Sequence, residues 1–216
     1  MDRRLGVLIF LMFLCAGALS VAAHFFSVFP FDLEITRELQ EEQNPLFAWT
    51  MVWVSVFGDT WIEAVLVIGV FGLCLVRRMR TEAVFVLATL SSVALTSMLK
   101  VLIARPRPDT YPVNPADLFW LVDQFSFPSG HVLFFVVFFG FIACLAWFHL
   151  TGYLRGLVIT LCCLLILLIG PSRIYLGAHW ASDVIGSYII GGLLLGMLVL
   201  GYRMTVCGSG VPAVGD

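Results

Sequence analysis

Two of the four histidines in this chain stand beside residues with which they could do chemistry. His131 ends the run Phe127-Pro128-Ser129-Gly130-His131, and His179 opens the run His179-Trp180-Ala181-Ser182-Asp183. On a helix, His179 and Asp183 share one face and come within or close to hydrogen-bond reach. A carboxylate on one ring nitrogen fixes the imidazole tautomer and leaves the other nitrogen free as a nucleophile. Of the twelve basic residues, Arg3, Arg4, Arg77, Arg78, Arg80, Arg155 and Arg203 flank apolar runs at every second boundary, and Arg37 lies in an acidic segment. The remainder, Lys100, Arg105, Arg107 and Arg173, fall at the opposite boundaries, level with His131, His179 and Asp183. Planar guanidinium forks and a lysine point charge suit a phosphate-like oxyanion, so Lys100, Arg107 and Arg173 form a candidate clamp. Ser129 and the backbone around Gly130 open a helix, where free N–H groups and the dipole favour an anion. Taken singly, each has a plainer reading: a basic residue snorkelling at a helix end, a histidine satisfying a carbonyl, a Pro-Ser-Gly turn.

The elements that must hold these residues are membrane spans. Hydrophobic residues make up 61% of the chain and charged ones 12%, and the mean hydropathy is +1.02, a composition of membrane proteins. A net charge of -2 gives nucleic acid no electrostatic footing. Six runs are long enough to cross a bilayer, near 5–26, 58–76, 83–103, 131–150, 155–173 and 183–203. They lack barrel alternation, so the fold class is all-α, a six-transmembrane-helix bundle. The arginine asymmetry puts both termini in the cytoplasm and the reactive residues at the outer face. The first run follows Arg3 and Arg4 and ends at Val21-Ala22-Ala23 like a signal peptide, but its apolar stretch is long for one and is expected to be a retained helix. Residues 1–206 form one domain. Within it, 28–57 is an outer surface segment, either a short amphipathic helix or a solvated loop. The proline-rich 104–128 is a long outer loop, and 207–216 is a disordered tail. The cysteines lie in apolar runs without paired spacing and read as small buried side chains.

Lys100 followed after six residues by Arg107-Pro108, then Pro128-Ser129-Gly130-His131, then Ser172-Arg173 with His179 and Asp183 at their spacing, resembles the complete three-part signature of the type 2 phosphatidic acid phosphatase family. The resemblance covers roughly residues 60–200. It implies a membrane lipid phosphatase in which His179 is the nucleophile that forms a phosphohistidine and Asp183 orients it. His131 is then the general acid for the leaving group and afterwards the base for water. Lys100, Arg107, Ser129, Gly130 and Arg173 bind the phosphate.

The implied substrates are phosphatidic acid, phosphatidylglycerol phosphate or undecaprenyl diphosphate, reached from the surrounding membrane lipids. No cofactor, no metal and no obligatory protein partner is expected, because the clamp supplies the fixed charge that cations supply elsewhere. His131, His179 and Asp183 could alternatively be read as a zinc triad. Arg105 contacts either phosphate or lipid headgroups. The expected location is a bacterial inner membrane with the site on the periplasmic side. Two rivals remain at this point: a lipid phosphotransferase with the same site, and an anionic-lipid transporter, which would have no use for a histidine with an orienting carboxylate.

Overall fold

In the computed structural model, residues 3–108 and 120–208 are described, and every regular element among them is a helix. In chain order these are α1 (Arg3–Phe25), α2 (Pro30–Gln40), α3 (Pro45–Val56), α4 (Thr60–Val76), α5 (Arg80–Ala88), α6 (Ser91–Ile103), α7 (Trp120–Asp123), α8 (Gly130–His149), α9 (Gly152–Tyr175) and α10 (Ala181–Gly208). Five units are long and apolar enough to cross a bilayer: α1, α5 with α6, α8, α9 and α10. A sixth arises if α3 and α4, bent by 64° to one another, count as one span.

α8 organises the bundle. Its sequence is apolar on every side, which suits a helix surrounded by other helices. Val132, Leu133, Phe134, Phe135, Val137, Phe138 and Phe141 are all buried, and α8 packs mainly against α9 and α10 and also against α6. The α5–α6 span is interrupted at Thr89 and Leu90. There the Thr89 hydroxyl donates to the Val86 carbonyl at 2.6 Å and the Ser92 hydroxyl to the Thr89 carbonyl at 2.7 Å, side-chain bonds that bend helices. Pro171 lies inside α9, where it removes a hydrogen bond and crowds the carbonyl four residues back. Tyr188 of α10 compensates: its hydroxyl donates to the Ile166 carbonyl at 2.6 Å, lies 3.4 Å from the Leu167 carbonyl, and accepts from Gly170 N at 3.3 Å.

The segment 28–57 differs from the single surface stretch expected. Asn44-Pro45 divides it: the Asn44 side chain caps α3, accepting from Leu46 N at 2.9 Å and Phe47 N at 3.4 Å, with Pro45 at the first helical position. α2 is amphipathic, with Ile35 and Leu39 against the core. α3 is apolar, packs on α9, and buries Met51, Val54 and Ser55. The expected tail at 207–216 begins inside α10, which runs to Gly208; the rest of it lies outside the described residues. Residues 109–119 of the expected outer loop also lie outside the described residues, and its described end contains the short α7.

Candidate active site

At the end of the bundle opposite Arg77, Arg155 and Arg203 lies a cavity of about 520 Å³. Lys100 reaches it from the last turn of α6, Arg107 from the segment after α6, and Gly130 and His131 from the first turn of α8. Arg173 comes from the last turn of α9 and His179 from the turn before α10. The chain therefore brings together three cations and two imidazoles from separate helix ends.

Local sequence explains this convergence. α9 stops because Gly177 adopts φ +67, and Ala178 N then bonds back to Arg173 O at 3.0 Å and Gly177 N to Ile174 O at 2.9 Å. This is a Schellman turn, and it folds the chain so that His179 returns beside Arg173, with His179 N at 3.3 Å from Arg173 O. α6 stops at Ala104, which takes a left-handed conformation (φ 51). Beyond it Pro106 and Pro108 exclude further helix. The Arg107 guanidinium is then fixed by backbone carbonyls: Nε donates to Asp123 O at 2.5 Å and Nη1 to Ala178 O at 3.0 Å. Arg173 Nη1 is held by the Ser55 hydroxyl from α3, and the neighbouring Ser172 hydroxyl donates to Met51 O at 2.5 Å.

The two histidines sit in different settings. His179 is buried, with Nδ1 3.7 Å from Asp183 Oδ2. That is an electrostatic contact longer than a hydrogen bond. Burial first, and then the charges of Arg107, Arg173 and Lys100 and the His131 ring, hold the His179 imidazole well below its ordinary pKa, so it is neutral. His131 lies with Nε2 buried and without a hydrogen-bond partner in the protein. Its ring packs on Gly58, at the bend between α3 and α4. A Cβ there would lie 2.2 Å from His131 Cδ2, so any side chain would have to displace the ring.

Two of the expected site residues do not line the cavity. Asp183 stands behind His179, fully buried. Its Oδ2 accepts from Trp180 N at 2.9 Å and its Oδ1 from Arg105 Nη1 at 2.5 Å. Ser129 is the buried N-cap of α8. Its N–H donates to Ser187 Oγ at 2.7 Å, while its own hydroxyl is buried without a protein partner. Arg105 corrects the sequence reading more sharply. It is off the cavity wall and 1% exposed, in a closed cluster with Asp32 and Asp183.

Sequence reasoning also missed Asp123, Glu63 and Gly58, all on the cavity wall. Asp123 Oδ1 lies 2.6 Å from Lys100 Nζ and 3.5 Å from Arg107 Nη2. Nothing in the spacing distinguished Asp123 from the other acids of the outer loop. The Gly58-Asp59 pair at the start of a span was the only signal for Gly58. Among the described residues, no three His, Cys, Asp or Glu side chains group as metal ligands would.

A multi-span helical bundle with a cationic, histidine-bearing cavity at one end defines the class of membrane phosphatases. Residues 81–206 match the PAP2 superfamily, and the chain belongs to that family. It is 29% identical over 188 residues to phosphatidylglycerophosphatase B of Bacillus subtilis, covering 86% of this chain and 88% of that one. It is 25% identical over 171 residues to undecaprenyl-diphosphatase of Sulfolobus acidocaldarius, covering 74% of this chain and 73% of that one. The crystal structure of the transmembrane PAP2-type phosphatidylglycerolphosphate phosphatase of B. subtilis superposes with a TM-score of 0.76 at 26% identity, covering 92% of this chain and 96% of that one. Aquifex aeolicus LpxE shares the fold, with a TM-score of 0.59 at 22% identity, covering 82% of this chain and 99% of that one. The chain is thus an integral-membrane phosphatase of the PAP2 family.

Proposed function

We propose that this chain dephosphorylates a lipid phosphate or diphosphate at the outer face of its membrane, through a phosphohistidine on His179. The observation that carries the reading is the convergence of Lys100, Arg107 and Arg173 with His131 and the neutral, carboxylate-backed His179 around one cavity. The phosphoryl oxygens lie among the three cations. His179 Nε2 attacks phosphorus while the P–O bond to the leaving group breaks, and His131 gives its proton to the departing oxygen. Water deprotonated by His131 then attacks phosphorus, the P–N bond breaks, and His179 returns neutral with free phosphate. The clamp acts mostly as charge spreads over the transferring group.

The same cavity is lined by Ala64 of α4, Leu90, and Val93 and Ala94 of α6, an apolar flank that suits a lipid tail reaching the site sideways. Phosphatidic acid, phosphatidylglycerol phosphate and undecaprenyl diphosphate are the candidate substrates, the last two being the chemistry for which the relatives are named. The positive-inside arginines support a cytoplasmic location of both termini and an outer site; a bacterial inner membrane with a periplasmic site is the setting we favour.

The test is phosphate release in detergent from these three lipids with EDTA present, together with rapid-quench trapping from labelled substrate. The expected result is release with EDTA and an acid-labile, base-stable phosphoramidate that is absent in His179→Ala. Undiminished labelling of His179→Ala would overturn the nucleophile, and no release from any lipid phosphate would overturn the function.

A further inference from the structure

We infer that Arg105 and Asp32 are positioning residues for catalysis: their buried pair ties the surface helix α2 to the start of α10 and fixes the Asp183 carboxylate behind His179. The inference rests on the phosphatase reading above and concerns residues outside the cavity wall.

Arg105, Asp32 and Asp183 have side chains that are all 0% exposed. The Arg105 fork is used from both ends. Nη1 donates to Asp183 Oδ1 at 2.5 Å and Ser182 Oγ at 2.7 Å, Nη2 to Asp32 Oδ2 at 2.8 Å, and Nε to Ser27 O at 3.0 Å. Its guanidinium carbon lies 5.1 Å from the Phe29 ring centroid. Asp32 in turn caps two helices. It accepts from Phe29 N at 3.0 Å at the start of its own helix, and from Ser182 N at 2.8 Å in the first turn of α10. The Ser182 hydroxyl adds a bond to Asp32 Oδ2 at 2.8 Å.

Asp183 therefore has both oxygens committed. Oδ1 is held by Arg105, and Oδ2 takes Trp180 N and faces His179 Nδ1 at 3.7 Å. A carboxylate so fixed cannot swing away from the imidazole, and a second carboxylate buried beside it is tolerated only because one planar cation bridges them. Lysine in place of Arg105 keeps the charge but cannot bond both carboxylates in one plane. Partners of this kind, acting through a reactive group rather than on substrate, typically matter by roughly 10- to 100-fold.

The test is the rate of phosphohistidine formation in Arg105→Lys and Asp32→Asn, each alone and combined with Asp183→Asn, with inhibition by inorganic phosphate as the measure of clamp binding. We expect each single variant to slow phosphorylation roughly 10-fold or more while phosphate inhibition shifts by less than about 3-fold. In the Asp183→Asn background either change should cost less than about 2-fold, because the group being positioned is already altered. A merely structural role gives equal losses in both backgrounds, or weakens phosphate binding alongside the rate, and either result overturns the inference. Full rates in both single variants with a slowed Asp183→Asn also overturn it and leave the phosphatase reading intact. An unimpaired Asp183→Asn removes the histidine–aspartate pairing itself and the inference with it. Monodisperse elution in detergent qualifies each variant. Asp32→Asn, which preserves shape, carries the test if Arg105→Lys does not fold.

Discussion

Arg105 and Arg107 are two residues apart in one short segment yet meet different surroundings. That segment is extended: Pro106 bridges Phe125, and Ser126 N donates to Arg105 O at 2.8 Å. In a regular strand residues two apart would share one face, so tertiary partners rather than strand alternation set the two arginines apart. Arg105 falls on the closed side, where two carboxylates take its charge. Arg107 falls on the cavity side, where the carbonyls of Asp123 and Ala178 orient its guanidinium and the Asp123 carboxylate stands at 3.5 Å. A cation bridged between buried carboxylates acts through the groups it holds, whereas a cation oriented mainly by neutral carbonyls keeps its field for an incoming oxyanion. The partners, rather than the residue type, decide the role.

The largest effects should come from exchanging these roles. Arg107→Ala and Arg173→Ala should each lose about 3 kcal/mol of transition-state stabilisation, roughly 100-fold in kcat/KM, because the contacts tighten as charge develops. Arg107→Ala should melt close to the parent protein in detergent. Arg105→Ala should instead lose about 3 to 5 kcal/mol of stability, since it strands two buried carboxylates. Equal melting temperatures for Arg105→Ala and Arg107→Ala would erase the distinction.

A second experiment moves along the cavity wall to Gly58. The methyl group of Gly58→Ala would meet the His131 ring, and a displacement of that order can cost roughly 100-fold. The loss should be large with a lipid alkoxide leaving group and small with a nitrophenyl phosphate, which needs little protonation. Equal losses with both substrates would mean that the bend, rather than the acid, had been disturbed.

Acid should separate His179 from the rest. Its pKa is lowered in the folded protein, mainly by burial. As pH falls through the ordinary value of 6.5, the unfolded chain takes up a proton that the folded one refuses, so stability falls. Above that value both states are neutral and this histidine contributes no slope. Melting in detergent over roughly pH 5 to 8 should show a shallower acid decline in His179→Gln than in the parent, and an identical decline would sink the idea. The corresponding acid limb of kcat/KM should lie below the ordinary histidine range.

The smallest effect concerns Asp123, 40% exposed and paired with Lys100. Partly exposed pairs contribute about 0.2 to 1 kcal/mol, so Asp123→Asn should strengthen inhibition by inorganic phosphate only about 2- to 5-fold by freeing Lys100 for the anion. Weaker phosphate inhibition would show that Asp123 organises the clamp rather than competing for it.

Much of this site is legible in the residue order. Lys100 with Arg107, His131 after its Pro-Ser-Gly turn, and Arg173 with His179 each need only local chain geometry to sit at a helix end. Apolar run lengths and arginine placement then put those ends at one level of a membrane. The second helix before residue 57 was less legible. The apolar run in 45–56 is too short to span alone, and only its contact with α9 makes it part of the bundle.

The sequence by itself determined that this chain is a helical membrane protein, which helix ends carry its candidate site residues, and the oxyanion chemistry that those residue types favour, because these follow from periodicity, hydropathy and short-range spacing. The tertiary structure alone decided that Asp32, written among surface acids, is buried against Arg105 and the start of α10, and that Asp123 pairs with Lys100. It alone also decided that the His131 ring occupies the space a side chain at Gly58 would take. Each of these is a contact between segments distant in the chain, and its physical cause, a desolvated charge needing a partner or two atoms competing for one volume, exists only once the helices are packed.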